Sequence, residues 1–284
     1  MDISYYPGCS LDGTAKEYGE SLKAIAKTLE IEFHELQDWN CCGSSSAHVT
    51  NDELALALAA RNLAIADRAG MDLVVPCAAC YQRLKAAAKK LALGKRPEGM
   101  TGRYGGNFRI KHAADFLWED MGEKALSQKV KTPLKGLKVA CYYGCLTARP
   151  PKVTDARNPE NPMAMDHLME CLGAIVKPWS YKTDCCGGNL ILTRPDIAKK
   201  LILGLLDMAK EAMADCIVTG CPMCQSNLDT RQKEISKETG RDCGIPIFYF
   251  SELMGLAYGD TSTRKWLGRH MVNPKPLLKQ KGLV

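Results

Sequence analysis

Asp184-Cys185-Cys186-Gly187-Gly188 is the stretch from which the rest of the chain is read. Two thiols on consecutive residues, with glycines directly behind them, let a sharply bent backbone bring both sulfurs to one object. Trp39-Asn40-Cys41-Cys42-Gly43 is an earlier copy. Each copy has a lone cysteine upstream and a C-x-x-C downstream. The first set runs Cys9, 31 residues, Cys41-Cys42, 34 residues, Cys77-x-x-Cys80; the second runs Cys145, 39 residues, Cys185-Cys186, 34 residues, Cys221-x-x-Cys224. Ten of the 14 cysteines therefore fall into one repeated pattern.

The segments between the cysteines repeat as well. Ile3 to Tyr6 reads as a strand that delivers Cys9 through Pro7-Gly8, and Thr14 to Glu30 as an amphipathic helix. Ile31 to Leu36 is a second strand running into the first C-C turn. Asn51 or Asp52 caps a helix to Ala69 with Leu54, Leu58 and Ile65 on its buried face. Leu73 to Val75 is a buried strand, and the C-x-x-C opens a helix to Leu93. A loop over 94–107, carrying Lys95, Arg96 and Arg103, leads to Phe108-Arg109-Ile110 and a further helix. After Pro133 and Gly136 the scheme restarts: strands at Leu137–Tyr143, Ala174–Val176 and Cys216–Thr219, helices at Pro162–Leu172 and Pro195–Met213 (on Ile197, Leu201, Leu205 and Met208), and one long helix from Pro222.

Such β-α alternation predicts an α/β fold with parallel sheets. The expected architecture is two tandem homologous cysteine-rich domains, residues 1–133 and 134–260, each a small parallel sheet flanked by helices with its own core, related by internal duplication. Residues 261–284 form a basic C-terminal tail. The first spacing is longer in the second copy, and the extra length lies in the Pro- and Arg-rich run Thr147 to Pro159. It either shapes a pocket for an anionic substrate or is a tolerated surface loop, the simpler expectation.

The N-terminus has no basic start or apolar run, and nothing approaches the ~18 apolar residues of a membrane span, so a cytoplasmic protein is expected. In a reducing compartment these spacings read as metal ligands before disulfides. The formal charge is +6, and Arg264, Lys265, Arg269, Lys275, Lys279 and Lys281, with no acid among them after 260, equal that excess. The body is thus near neutral and offers no nucleic-acid footprint. The tail is expected to be a docking arm for a partner subunit or a solvated terminus.

A closed zinc site takes four ligands and would leave one cysteine of each five idle. Iron–sulfur clusters suit the count better, although an ordinary cubane also uses four thiolates. A vicinal disulfide at either C-C pair would be strained and would leave three thiols unexplained. No ferredoxin-type cysteine run and no flavin, nicotinamide or nucleotide fingerprint is present, so electrons must come from outside. Cys141, Cys171, Cys216 and Cys243 read as small buried residues.

The doubled cysteine pattern, with Tyr5-Tyr6-Pro7-Gly8-Cys9 at its head, resembles the B subunit of heterodisulfide reductase over roughly residues 1–260. The resemblance implies two non-cubane [4Fe-4S] clusters and neither flavin nor nucleotide. One cluster would be held by Cys9, Cys41, Cys42, Cys77 and Cys80, the other by Cys145, Cys185, Cys186, Cys221 and Cys224. It implies reductive cleavage of a small-molecule disulfide, such as that of coenzyme M and coenzyme B in methanogenesis, to two thiols. The implied partners are a ferredoxin-like iron–sulfur subunit and a flavin-bifurcating subunit. The turn Gly43-Ser44-Ser45-Ser46-Ala47-His48 departs from the methanogen pattern, which leaves that particular disulfide open. His112 is the preferred proton donor over His48. Two other readings stay open: an electron-transfer subunit of a lactate-, glycolate- or quinone-linked oxidoreductase, and a zinc-stabilised binding module without redox activity.

Overall fold

In the computed structural model, which describes every residue except Ser45 and Thr101, the chain builds two parallel four-stranded sheets flanked by helices. The first contains β1 (Asp2–Tyr5), β2 (Glu32–Glu35), β3 (Leu73–Val75) and β4 (Ile110–His112) in the order β2-β1-β3-β4. The second contains β5 (Lys138–Tyr142), β6 (Ile175–Val176), β7 (Cys216–Thr219) and β8 (Ile247–Tyr249) in the order β6-β5-β7-β8. The two orders are the same once the numbering is shifted by four, as a duplication requires. The inner strands β3 and β7 are buried along their length, which explains why they read as unbroken apolar runs.

The halves do not have wholly separate interiors. One buried cluster lies mainly in the first half around Leu63, Val75 and Leu84, and another mainly in the second around Ile202, Ile217 and Leu228. The third runs through both, from Tyr5, Tyr18 and Leu22 to Val139, Phe248 and Leu253. Its seam is the helix Lys16–Thr28 packed on Phe250–Ala257, where Tyr18 and Tyr249 stack at 4.2 Å and the Ser21 and Ser251 hydroxyls are 2.6 Å apart. A stacked pair of this kind adds about 0.5–1.5 kcal/mol beyond burial.

Several local expectations shift. Asn51 does cap Asp52–Ala69, its Oδ1 accepting from Leu54 N at 2.9 Å. The buried face, however, is Ala59, Ala60, Leu63, Ala64 and Ala66, while Leu54 is 48% exposed. Small alanines let this helix close on Ala78–Ala92, and close approach outweighs the larger but sparser leucine stripe. In Pro195–Glu211, Leu205 is buried as expected, together with Ala198, Ile202, Leu206 and Ala209, while Leu201 is 37% exposed. The expected long helix from Pro222 is two short ones, Pro222–Thr230 and Gln232–Thr239.

Residues 261–284 are neither a free arm nor a solvated terminus. Trp266, Leu267 and Leu278 are buried, and Trp266 lies against Gly255, where an added Cβ would come within 2.6 Å of its ring. Asp229 accepts from Met271 N at 2.7 Å and Val272 N at 3.0 Å, and His270 pairs with Glu252 at 2.9 Å. Arg269 and Lys265 meet Glu20, and Lys281 meets Asp215. Three of the six cations that seemed to mark a docking arm, Lys265, Arg269 and Lys281, pair inside the chain, because acids of both halves face the segment.

Candidate functional site

Each five-cysteine set is assembled from three loops at the C-terminal ends of the strands, where open parallel sheets place their sites. Gly8 and Gly144, at φ 71° and 68°, turn the chain from the first strand into Cys9 and Cys145. A Cβ at Gly8 would lie 2.9 Å from Cys80 Sγ, and one at Gly144 3.0 Å from Cys224 Sγ. Only a residue without a side chain fits against these sulfurs. The C-C loops are held from behind in the same way twice over: Tyr6 Oη donates to Asn40 O at 2.8 Å, and Tyr142 Oη to Asp184 O at 2.7 Å. In the first half Asn62 completes the brace, its Oδ1 accepting from Asn40 N and its Nδ2 donating to Asn40 O. In the second, Asn227 Nδ2 donates to Cys186 O at 2.7 Å.

The sulfurs converge within each set. Cys42 and Cys80 Sγ are 3.2 Å apart, and Cys186 and Cys224 Sγ 3.7 Å. Gly43 N donates to Cys41 Sγ at 3.4 Å and Gly187 N to Cys185 Sγ at 3.3 Å. All fourteen cysteines are free thiols, so the vicinal-disulfide alternative is not realised. Thiol contacts with Cys41 and Cys80 push Cys42 down to about 3, and contact with Cys145 pulls Cys185 down to about 6. Cys221 is held low by its contacts with Cys224 and Cys77. Their thiol partners go the other way: Cys41, Cys77 and Cys80 in the first set and Cys145 and Cys224 in the second are pushed up by those same contacts and by burial. Among the described residues no group of three or more His, Cys, Asp or Glu converges on a point suited to a single ion. Free thiols and a side-chain-free cradle together fit an all-cysteine cluster, whose iron would take the sulfurs as thiolates.

The two sets meet. Cys77 and Cys221, both buried, approach each other across the halves. The residues just before them are tied together by two side chains of the first half. Tyr18 Oη lies 3.2 Å from Pro76 O and 3.1 Å from Gly220 O, and His112 Nε2 lies 3.0 Å from each. Cys9, Cys41 and Cys185 face solvent at the outer ends.

His112 caps the helix that follows it, Nδ1 accepting from Ala114 N at 3.4 Å, while Nε2 faces two carbonyl oxygens. With an Nε2–H, the ring donates to these carbonyls and clamps the two C-x-x-C approaches. His48 is half-buried in the turn after Cys42, where burial lowers its pKa. Ser45 of that turn and Thr101 of the basic loop lie outside the described residues.

A cleft of about 740 Å3 opens between the halves beside these residues. The insertion after Cys145 forms its wall, so it is a strap and not a tolerated surface loop. Tyr81 Oη donates to Thr154 O at 3.0 Å, and Lys85 and Lys89 both pair with Asp155. The added length is what reaches the first half. Sequence reading missed Tyr18, whose role depends on a partner 202 residues away, and Asp115 of the cleft. The signal for Asp115 was its place three residues past His112, matching Glu252 three past Tyr249.

Residues 3–85 and 139–229 each match the model of the cysteine-rich domain known as CCG. A membrane anchor subunit of 8-methylmenaquinol:fumarate reductase from Wolinella succinogenes is 31% identical over 280 residues, covering 97% of this chain and 99% of the relative. The B subunit of ferredoxin:CoB-CoM heterodisulfide reductase from Methanosarcina mazei is 31% identical over 272 residues, covering 90% and 89%. A protein from Archaeoglobus profundus described as like the heterodisulfide reductase B subunit is 30% identical over 265 residues, covering 89% of each. The crystal structure of a hypothetical protein from Helicobacter pylori superposes with a TM-score of 0.74 at 13% identity over 95% of this chain. The chain spans about half (52%) of that structure, a likeness of fold alone.

Proposed function

The chain belongs to the family of CCG cysteine-rich proteins that includes the heterodisulfide reductase B subunits, and from that premise we propose that it is the two-cluster redox subunit of a heterodisulfide reductase-like complex. Cys9, Cys41, Cys42, Cys77 and Cys80 would hold one non-cubane [4Fe-4S] cluster, and Cys145, Cys185, Cys186, Cys221 and Cys224 the other. Such clusters supply single electrons, two of which split a disulfide into two thiolates. The observation that carries the reading is the joint hold of Tyr18 and His112 on Pro76 O and Gly220 O, which brings the two C-x-x-C segments together.

The chain's own groups position this pair. Tyr18 and His112 fix the spacing of the two C-x-x-C segments, and Tyr6 and Tyr142 fix the C-C loops. The strap and Tyr81 limit entry from one side. The exposed outer cysteines are where an electron-donating iron–sulfur subunit, itself served by a flavin subunit, would dock. No helix among the described residues is long and apolar enough to cross a membrane.

A second reading, exchange of electrons with a quinone, is favoured by one observation: the menaquinol-linked relative matches end to end. The test is stopped-flow reoxidation of the dithionite-reduced, iron-loaded protein. Reoxidation by a disulfide such as cystamine, and not by menadione, supports the first reading. The reverse preference replaces it with the second.

A further inference from the structure

The internal duplication makes two clefts beside the cysteine sets, and the chain closes one of them itself. Counting from the C-x-x-C motifs, Lys85 of the first half corresponds to Asp229 of the second; counting from the strand ends, Asp115 corresponds to Glu252. Asp229 and Glu252 bind the C-terminal segment through Met271 N, Val272 N and His270. In the first half the strap holds Lys85 through Asp155 but leaves Asp115 without a partner among the described residues, and both line the open cleft between the halves. One chain therefore offers one such site, although it carries two cysteine sets.

The lining states what the open cleft accepts. Its volume falls within the range of about 300–1,000 Å3 for small-molecule sites. Tyr81, Trp118, Tyr143 and His167 line it with rings, those of Trp118 and His167 lying 4.9 Å apart and tilted by 31°. Most of the cations there are spent on neighbours, Lys85 and Lys89 on Asp155, Lys111 on Glu119 and Asp120, Arg109 on Asp72 and Asp120, while the exposed Arg157 makes no ion pair among the described residues. A polyanionic ligand would have to displace these acids. Asp115, by contrast, makes no hydrogen bond or ion pair among the described residues. Burial raises its pKa, which favours the protonated form that can offer an O–H.

We propose that the open cleft binds the neutral ring of a quinone-class molecule, with Asp115 hydrogen-bonding a ring oxygen and the rings of Tyr81 and Trp118 flanking it. The proposal rests on the quinone-linked reading and adds the site, the contact group and the stoichiometry of one per chain. Its position suits the role: Tyr81 follows Cys80 directly, and His112 joins the carbonyls that precede Cys77 and Cys221.

Equilibrium dialysis of menadione against the anaerobically purified, iron-loaded chain tests it, with Asp115→Leu and Ala156→Trp alongside and iron content measured in each. Ala156 lines the cleft on the strap, so tryptophan there fills the space without touching Asp115. One menadione per wild-type chain, bound about tenfold more weakly by both variants at unchanged iron content, is the expected result. Menadione bound equally by all three overturns the site and leaves the quinone-linked reading standing. No menadione bound by the wild type, with cystamine bound and then weakened by Ala156→Trp, overturns the ligand class and returns the cleft to the disulfide reading.

Discussion

The His270–Glu252 pair carries the sharpest energetic prediction. Both side chains are almost fully buried, 1% and 0% exposed, and the Glu252 carboxylate also accepts from Tyr249 N at 2.9 Å. Burial alone would lower the imidazole pKa, but the Glu252 charge and hydrogen bond, helped by Asp229 and Glu17, raise it from 6.5 to about 9. At about 1.4 kcal/mol per pH unit this is worth about 3 kcal/mol. Removing one partner of a buried pair costs about 3–5 kcal/mol by an independent route, so the two figures agree. His270 Nδ1 has no partner among the described residues, which argues for the lower end. Because the folded pKa is raised, the contribution is complete below about pH 6.5 and is lost as pH rises through about 9. His270→Ala should therefore lower stability in urea unfolding by about 3 kcal/mol at pH 6.5, and the gap to wild type should shrink towards a packing remainder by about pH 10. Proteolytic release of residues 261–284 should follow the same curve. A gap that stays constant between pH 6.5 and 10, or a variant as stable as wild type at pH 6.5, refutes the reasoning.

Gly8→Ala should strip iron from the first set alone and Gly144→Ala from the second, each lowering iron from about eight to about four per chain, because the added methyl meets Cys80 or Cys224 Sγ. Iron analysis with visible absorbance reads both. Tyr18→Phe should cost about 1 kcal/mol in the urea midpoint with iron retained, since His112 still donates to Pro76 O and Gly220 O. Alanine at Cys141, Cys171, Cys216 or Cys243, one at a time, should leave iron content unchanged, as these lie outside both sets.

The duplication, the parallel α/β alternation and the doubled cysteine pattern were legible because each depends on short-range grammar. A strand, a glycine turn and a thiol recur at fixed spacing, and β3 and β7 read as buried strands by composition alone. What was hidden depends on packing between distant segments. The alanine face of Asp52–Ala69 is weak in hydrophobicity yet buried, because smallness is what the neighbouring helix needs. Nothing local in Arg264 to Lys281 says that Glu20 and Asp215 await them, so the basic run looked solvated. The strap from Thr147 to Pro159 looked like a loop because its partners, Tyr81, Lys85 and Lys89, belong to the other half. Tyr18 and His112 act on backbone carbonyls, which have no sequence signature.

Two adjacent iron–sulfur sites at the meeting of the halves are the central claim, and the most direct test is an anaerobic iron, zinc and acid-labile sulfide analysis of the isolated chain. About eight irons and eight sulfides per chain, falling to about four on Cys77→Ser or Cys221→Ser, is the expected result. One or two zinc ions without sulfide would contradict it and leave the cysteine sets a structural role.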